Sequence, residues 1–214
     1  LTTERQGMVE ALLVHLGRTY GSTEAERRMR LPGDDIVADP MVVTNHAITI
    51  AAPAECVWPW LVQMGWHRAG WYTARWVDRL LFPQNEPSAD RIIPELQDIG
   101  VGSFIPDGAP ETECGLIVEL LETERALALH STSHLPLSWR KRANLDWSWA
   151  FVLQPVDDGR STRFIFRSRW TTAPWWLTLG GWLVIVPADF VMSRDMLHGI
   201  KQRAEALAHI RVRD

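Results

Sequence analysis

The spacing of apolar residues along this chain changes from helical to alternating and back again. Apolar residues three and four positions apart predict an amphipathic helix at 3–17, and a run of β-branched residues predicts a strand at 41–51. Two short helices are predicted next, at 54–64 and 73–82. Helical spacing returns at 188–209, where it predicts one long C-terminal helix.

Between the short helices and the long one, the apolar positions alternate. This alternation predicts five strands, at 102–106, 115–121, 125–131, 147–155 and 162–170. Asp157, Asp158 and Gly159 form a hairpin turn between the last two. Hairpin-linked strands form a curved antiparallel sheet with one dry face. We therefore predict an α+β fold in which the long helix lies across the concave face and the two short helices cover the gap.

The last two predicted strands separate aromatic from basic side chains. One face carries a mostly aromatic set: Trp147, Trp149, Phe151, Leu153, Phe164, Phe166, Ser168 and Trp170. The opposite face carries Arg163, Arg167 and Arg169. We expect the aromatic face to line a ligand cavity under the long helix and the arginines to face solvent. The alternative is a closed core, because protein interiors are usually close-packed.

The composition is that of one soluble globular domain: 214 residues, 46% hydrophobic and 22% charged. A net charge of −4 argues against a general nucleic-acid binder, which needs a basic excess. Cys56 and Cys114 make no disulfide framework, and residues 2–20 are too charged for a signal peptide, so we expect a cytoplasmic protein.

A stretch of 19 residues, from Trp170 to Ala188, carries no charge and is nominally long enough to span a membrane. Pro174, Gly180 and Pro187 are expected to break it into short pieces. We therefore expect a buried or membrane-surface segment rather than a span.

Residues 63–72 form a Trp-rich turn between the two short helices, and we place it at the cavity entrance. Its aromatic residues suit either an apolar pocket with a polar end or the core. His67 is either a general base or simply exposed. Arg68 either holds the anionic end of a ligand or pairs with an acid such as Asp78.

The His and Cys residues lack zinc-site spacing, and the chain has no serine-nucleophile or phosphate-loop motif, so we predict no metal and no cofactor. Acid–base groups remain, and the catalytic candidates are Asp189, His67 and Tyr72. Asp189 either stabilises the start of the last helix or, buried among aromatics with a raised pKa, moves protons. The candidate ligand-binding residues are Trp66, Arg68, Trp71, Tyr72, Trp147, Trp149, Phe151, Phe164, Phe166, Trp170, Met192 and Met196.

Four stretches carry a family resemblance: 53–65 (PAECVWPWLVQMG), 68–72 (RAGWY), 88–97 (SADRIIPELQ) and 196–205 (MLHGIKQRAE). The chain resembles a bacterial branch of the START-like superfamily (SRPBCC, Bet v 1-like), which includes the polyketide cyclase/dehydrase group. The resemblance covers residues 33–209 and implies the helix-grip fold. It implies a START-like domain at 33–214 preceded by a helical extension at 1–32.

The resemblance implies binding of a hydrophobic small molecule such as a lipid, a polyketide or an isoprenoid. The alternatives are a cyclase, dehydratase or isomerase that uses acid–base catalysis, and a membrane-surface protein that uses 174–186 as a Trp anchor. The chain lacks the Rieske cluster ligands of an oxygenase α-subunit. The helix at 3–17 and the segment at 174–186 lie outside the basic fold, and we expect them to cap the cavity or form a homodimer contact.

Overall fold

The computed structural model describes residues 17–81 and 85–211. The helix predicted at 3–17, apart from its last residue, and the predicted end of the second short helix at residue 82 lie outside them. The helices are α1 (Glu24–Arg28), α2 (Ala54–Val62), α3 (Arg75–Leu81) and α4 (Trp176–Arg211). The strands are β1 (Val42–Ile50), β2 (Phe104–Pro106), β3 (Gly115–Glu122), β4 (Ala126–Ser131), β5 (Asn144–Val156) and β6 (Ser161–Ala173).

All six strands pair antiparallel in one sheet with the order β1-β6-β5-β4-β3-β2. The two long strands β5 and β6 pair along their whole length, from Asn144 opposite Ala173 to Val156 opposite Ser161. Helix α4 packs against α2, β1 and β6. This confirms the predicted α+β helix-grip arrangement: a curved antiparallel sheet, a long C-terminal helix, and two short helices after the first strand.

The inner face of the sheet carries the main core. Alternate residues of β5 and β6 point inward, and the rings of Phe151 and Phe166 stack with their centroids 5.0 Å apart. Leu197 and Ile200 of α4 are fully buried in the same cluster. Burial of these apolar surfaces is the main term that holds the helix against the sheet.

Helix α4 begins at Trp176, so the prediction that it begins at 188 was wrong. Gly180 and Pro187 lie inside the helix instead of breaking it. Val186 explains part of this, because it is buried against Val42 and Trp170 at the end of the sheet. Such packing offsets the helix-breaking tendency of proline. Within the described residues, no helix is both long and apolar enough to cross a bilayer.

The three arginines of β6 do not face solvent, and that prediction was wrong. Residues 22–39 cross the outer face of the sheet and cover them. Arg167 is 3% exposed, and it donates to Asn45 Oδ1 at 2.6 Å and to Asp34 Oδ2 at 2.7 Å. It also donates to the main-chain carbonyls of Glu26, Arg27 and Met29.

The flanking arginines extend this attachment. Arg163 donates to both carboxylate oxygens of Glu26, at 2.6 and 2.9 Å, and Arg169 donates to the carbonyls of Val37 and Ala38. Between them Ile165 packs in a small second core with Leu31, Ala47, Ala126 and Val152. The sheet is therefore covered on both faces, and the outer cover is held mainly by guanidinium groups.

Candidate functional site

A cavity of about 560 Å³ opens where β5 begins and β6 ends. The loop before β5 forms one wall and the start of α4 forms another. The lining residues are His134, Leu135, Trp139, Leu145, Trp147, Trp170, Thr172, Trp176, Leu177 and Gly180. The volume falls in the range of small-molecule sites, about 300–1,000 Å³.

Four tryptophans form most of the apolar wall. Trp147 and Trp170 were predicted to line the ligand cavity, and both do line this one. The indole N–H of Trp147 donates to Ser168 Oγ at 2.7 Å, so the polar atom of that ring is satisfied within the protein. Trp139 and Trp176 stand at the mouth, 48% and 55% exposed. The wall therefore suits an apolar ligand body.

His134 holds the loop wall in place. Its Nε2 lies 2.8 Å from Asp107 Oδ2 and its Nδ1 lies 2.7 Å from Ser131 Oγ. Burial alone would lower the pKa of His134, but the hydrogen bond to Asp107 and the nearby Cys114 side chain raise it to about 9. The ring is therefore an imidazolium at neutral pH, and both its nitrogens are used inside the protein.

A second depression continues the cavity toward the surface. Its volume is about 420 Å³, and it shares Trp139, Trp176 and Leu177 with the first. It adds Ser138, Arg142, Ala143 and Pro174. Because they share three residues, the two adjoin and form one groove, and the exposed Arg142 lies in its outer part, whose lining residues are mostly exposed.

The predicted cavity under the middle of α4 is closed. Phe151, Phe164 and Phe166 are buried in the main core together with Trp149 and Met196, because their side chains fill the space between sheet and helix. A gap of about 20 Å³ remains there. Such a gap holds about one water molecule. It is lined by Trp71, Thr73, Trp149, Phe166, Asp189, Met192, Ser193 and Met196.

Asp189 faces this small gap rather than the large cavity. Because α4 begins 13 residues earlier, at Trp176, the prediction that Asp189 stabilises the helix start was wrong. Its carboxylate oxygens lie 3.4 Å from Thr44 Oγ1 and 3.4 Å from Ser193 Oγ. Burial raises the pKa of Asp189 to about 6, and these two long hydrogen bonds only partly offset the effect.

The turn at 63–72 does not lie at the mouth of the large cavity, because its inner aromatics are packed in the main core. Tyr72 is buried, and its hydroxyl accepts from Gln63 Nε2 and donates to the Trp60 carbonyl, both at 3.0 Å. Burial raises the pKa of Tyr72. Trp71 is also buried, edge-on to Trp149 with 5.4 Å between the ring centroids.

The polar residues of the turn have local partners. Arg68 donates to the carbonyls of Val62, Met64 and Leu96, so it closes the end of α2 and does not pair with Asp78. Asp78 instead accepts from Thr73 and Asn85. The side chain of His67 is 52% exposed, with Nδ1 3.7 Å from Glu86, and its ring lies against Trp66. None of Trp66, His67, Arg68 and Asp78 lines the large cavity.

Several lining residues were missed in the sequence. Trp139 lies between the predicted strands 125–131 and 147–155, where no element was predicted. Trp176 and Leu177 lie in the segment 174–186, which was expected to cap the cavity or form a homodimer contact but supplied no candidate ligand-binding residue. His130 and His134 are four positions apart in the sequence, and in the structure their rings contact Asp146 and Asp107, respectively. Among residues 17–81 and 85–211, no group of three or more His, Cys, Asp and Glu side chains is placed to hold a metal ion.

No family model and no curated protein matches this chain. Similar solved structures include norcoclaurine synthase from Thalictrum flavum, at 15% identity and a TM-score of 0.39, covering 78% of this chain and 92% of that one. CalU16 from Micromonospora echinospora has 17% identity, a TM-score of 0.35, and coverages of 78% and 87%. A hypothetical protein from Helicobacter pylori has 10% identity, a TM-score of 0.49, and coverages of 81% and 94%. The fold assignment rests on this chain's own sheet order and helix placement.

Proposed function

We propose that this protein binds a hydrophobic small molecule, of the lipid, polyketide or isoprenoid kind, in the cavity of about 560 Å³ where β5 begins and β6 ends. The observation that carries the proposal is the wall of four tryptophans and three leucines, which encloses a preformed space among the described residues. An apolar ligand would gain about 25 cal/mol for each Å² of apolar surface removed from water. We also propose that the chain belongs to the START-like superfamily, on the order of its elements and the four stretches named above.

Filling the cavity from Gly180 tests the proposal. Gly180 lines the cavity, and a Cβ added there meets no atom within 4 Å, so a side chain at this position starts in open space. We expect Gly180→Leu to weaken binding of Nile red, a neutral apolar dye, by about tenfold or more, because the leucine occupies part of the ligand space. The measurement is a titration of dye fluorescence.

Gly180→Ala is the matched control. Alanine, like leucine, has a higher helix propensity than glycine, but it adds only one methyl group. Dye affinity should therefore stay within about twofold of the wild type, while the helix gains about 0.5–1 kcal/mol of stability. Folding of both variants is checked by thermal unfolding. A folded wild-type protein that binds neither Nile red nor 1-decanol, or a leucine variant that binds as the wild type does, contradicts the proposal.

The catalytic alternative, a cyclase, dehydratase or isomerase, has weaker support. Its three candidate residues, Asp189, His67 and Tyr72, do not line the large cavity. Of these, Asp189 has the acid–base property that such a reaction requires, since its pKa of about 6 suits proton transfer near neutral pH. A substrate would reach it only if the tightly packed rings around the 20 Å³ gap moved apart.

A membrane-surface role has a specific observation in its favour. Four large apolar side chains around the groove are well exposed: Leu137, Trp139, Trp175 and Trp176. Tryptophan is suited to the boundary between lipid and water. A membrane contact at this end would also place the cavity mouth next to a source of apolar ligands.

A further inference from the structure

Arg142 differs from the neighbouring Arg140 because its guanidinium has no partner among the described residues. Arg140, two positions earlier, donates to the carbonyls of Thr112, Ser133 and Leu135 and approaches Glu113. For Arg142, only the main-chain N–H is engaged, with the Trp139 carbonyl at 2.8 Å. Its side chain is exposed and lines the outer part of the groove.

The groove otherwise carries little net charge. The one other ionisable residue that lines its described part is His134, and the imidazolium is compensated by the Asp107 carboxylate 2.8 Å away. Asp and Glu are absent from the described lining of both parts. A ligand in the groove therefore meets an uncompensated positive charge at the outer end and a wall of indole rings at the inner end.

We infer that the ligand is an anionic amphiphile, with its apolar chain in the 560 Å³ cavity and a carboxylate head on Arg142. This inference rests on the proposed binding function and adds the class and orientation of the ligand. A guanidinium presents two parallel N–H donors that match the two oxygens of one carboxylate. A doubly charged phosphate head would leave one charge without a partner in the groove.

Three ligands with the same ten-carbon chain test the inference: decanoate, 1-decanol and decyltrimethylammonium. We expect the wild-type protein to bind decanoate about tenfold more tightly than 1-decanol, and decyltrimethylammonium most weakly, by isothermal titration calorimetry. Because the three ligands have the same alkyl chain, the differences in affinity report the effect of the head group alone.

Arg142→Gln should bring the decanoate affinity to within about twofold of that for 1-decanol, with the affinity for 1-decanol itself unchanged. Lys141→Gln is the matched control, since Lys141 is an exposed neighbouring cation that does not line the groove. It should keep most of the preference for decanoate.

The outcomes separate this inference from the proposed function. Equal binding of the three ligands, or a preference for decanoate that survives Arg142→Gln, overturns the anionic ligand class and leaves the apolar cavity standing. Equal losses in the Arg142 and Lys141 variants also overturn it, because they would show a diffuse surface effect. If none of the three ligands binds, the proposed function itself fails.

Discussion

His134 is charged at neutral pH because its Nε2 lies 2.8 Å from the Asp107 carboxylate and the Cys114 side chain is nearby. Burial opposes this charge, but the pKa in the folded protein is still raised from 6.5 to about 9. A histidine with a raised pKa contributes stability that is complete below its unfolded pKa and is lost as the pH rises through the folded value. The loop wall of the cavity should therefore loosen as the pH rises from 6.5 to about 9.

We expect the free energy of unfolding to fall by about 2–3 kcal/mol across that pH range through this group alone. Urea denaturation at the two ends of the range measures the change. In His134→Gln the fall should be smaller by about this amount, because the glutamine does not titrate. If the variant and the wild type lose equal stability over the range, His134 does not hold the proton in the folded state.

At the scale of elements, the attachment of residues 22–39 to the sheet depends on buried guanidinium groups. Arg167 has five acceptors on Asn45, Asp34 and the main chain of this segment, and burial of the group lowers its pKa. Removing one member of a buried ion pair leaves the other without compensation and costs about 3–5 kcal/mol.

We therefore expect Arg167→Gln to lower the free energy of unfolding by about 3 kcal/mol and to make residues 22–39 susceptible to trypsin. Arg160→Gln is the control, because Arg160 is exposed in the β5–β6 turn, and it should change stability by less than about 0.5 kcal/mol. A small effect in the Arg167 variant, with no new cleavage, would show that the segment is held mainly by its apolar contacts around Leu31.

The alternation of β5 and β6 was enough to predict which residues point into the core, because strand side chains alternate regardless of what covers them. It did not reveal what covers the outer face. The exposed or buried state of Arg167 depends on a segment more than a hundred residues away in the chain, and a charged alternating face is usually solvated. The helical state of 176–187 was missed for a similar reason, since the contact of Val186 with Val42 and Trp170 is a long-range one.

The position of the cavity could not be predicted from the sequence either. Whether a set of aromatic residues encloses a space or fills it depends on side-chain packing in three dimensions. Trp147 and Phe151 share one face of one strand, yet the first borders the cavity and the second is completely buried. The sequence thus predicted which residues lie on the inner face of the sheet. It did not predict which of them are close-packed and which border the cavity.

At the scale of the whole molecule, the exposed tryptophans at the groove predict a contact with lipid. Trp175 is 64% exposed and lines neither part of the groove, so its removal leaves the ligand site intact. We expect the protein to sediment with vesicles of phosphatidylcholine and phosphatidylglycerol, and Trp175→Ala to weaken this binding by about threefold or more.

Trp76 offers a matched control, because it is 61% exposed on helix α3 and lines neither part of the groove. Trp76→Ala should leave vesicle binding unchanged. Absence of binding to these vesicles, or equal losses in the two variants, would rule out a specific membrane contact at this end. The expected homodimer contact stays a prediction that analytical ultracentrifugation can check.

The main core of this protein is closed and does not include the cavity, which lies beyond the packed rings of Phe151, Phe164 and Phe166. Leu145 and Leu177 are only partly buried and lie outside the main core, so substitutions there change the shape of the cavity at a smaller cost to folding than substitutions at the packed rings. A chain built in this way can acquire new ligands during divergence while its scaffold remains stable. The same separation makes the groove a practical starting point for engineering a receptor of chosen specificity.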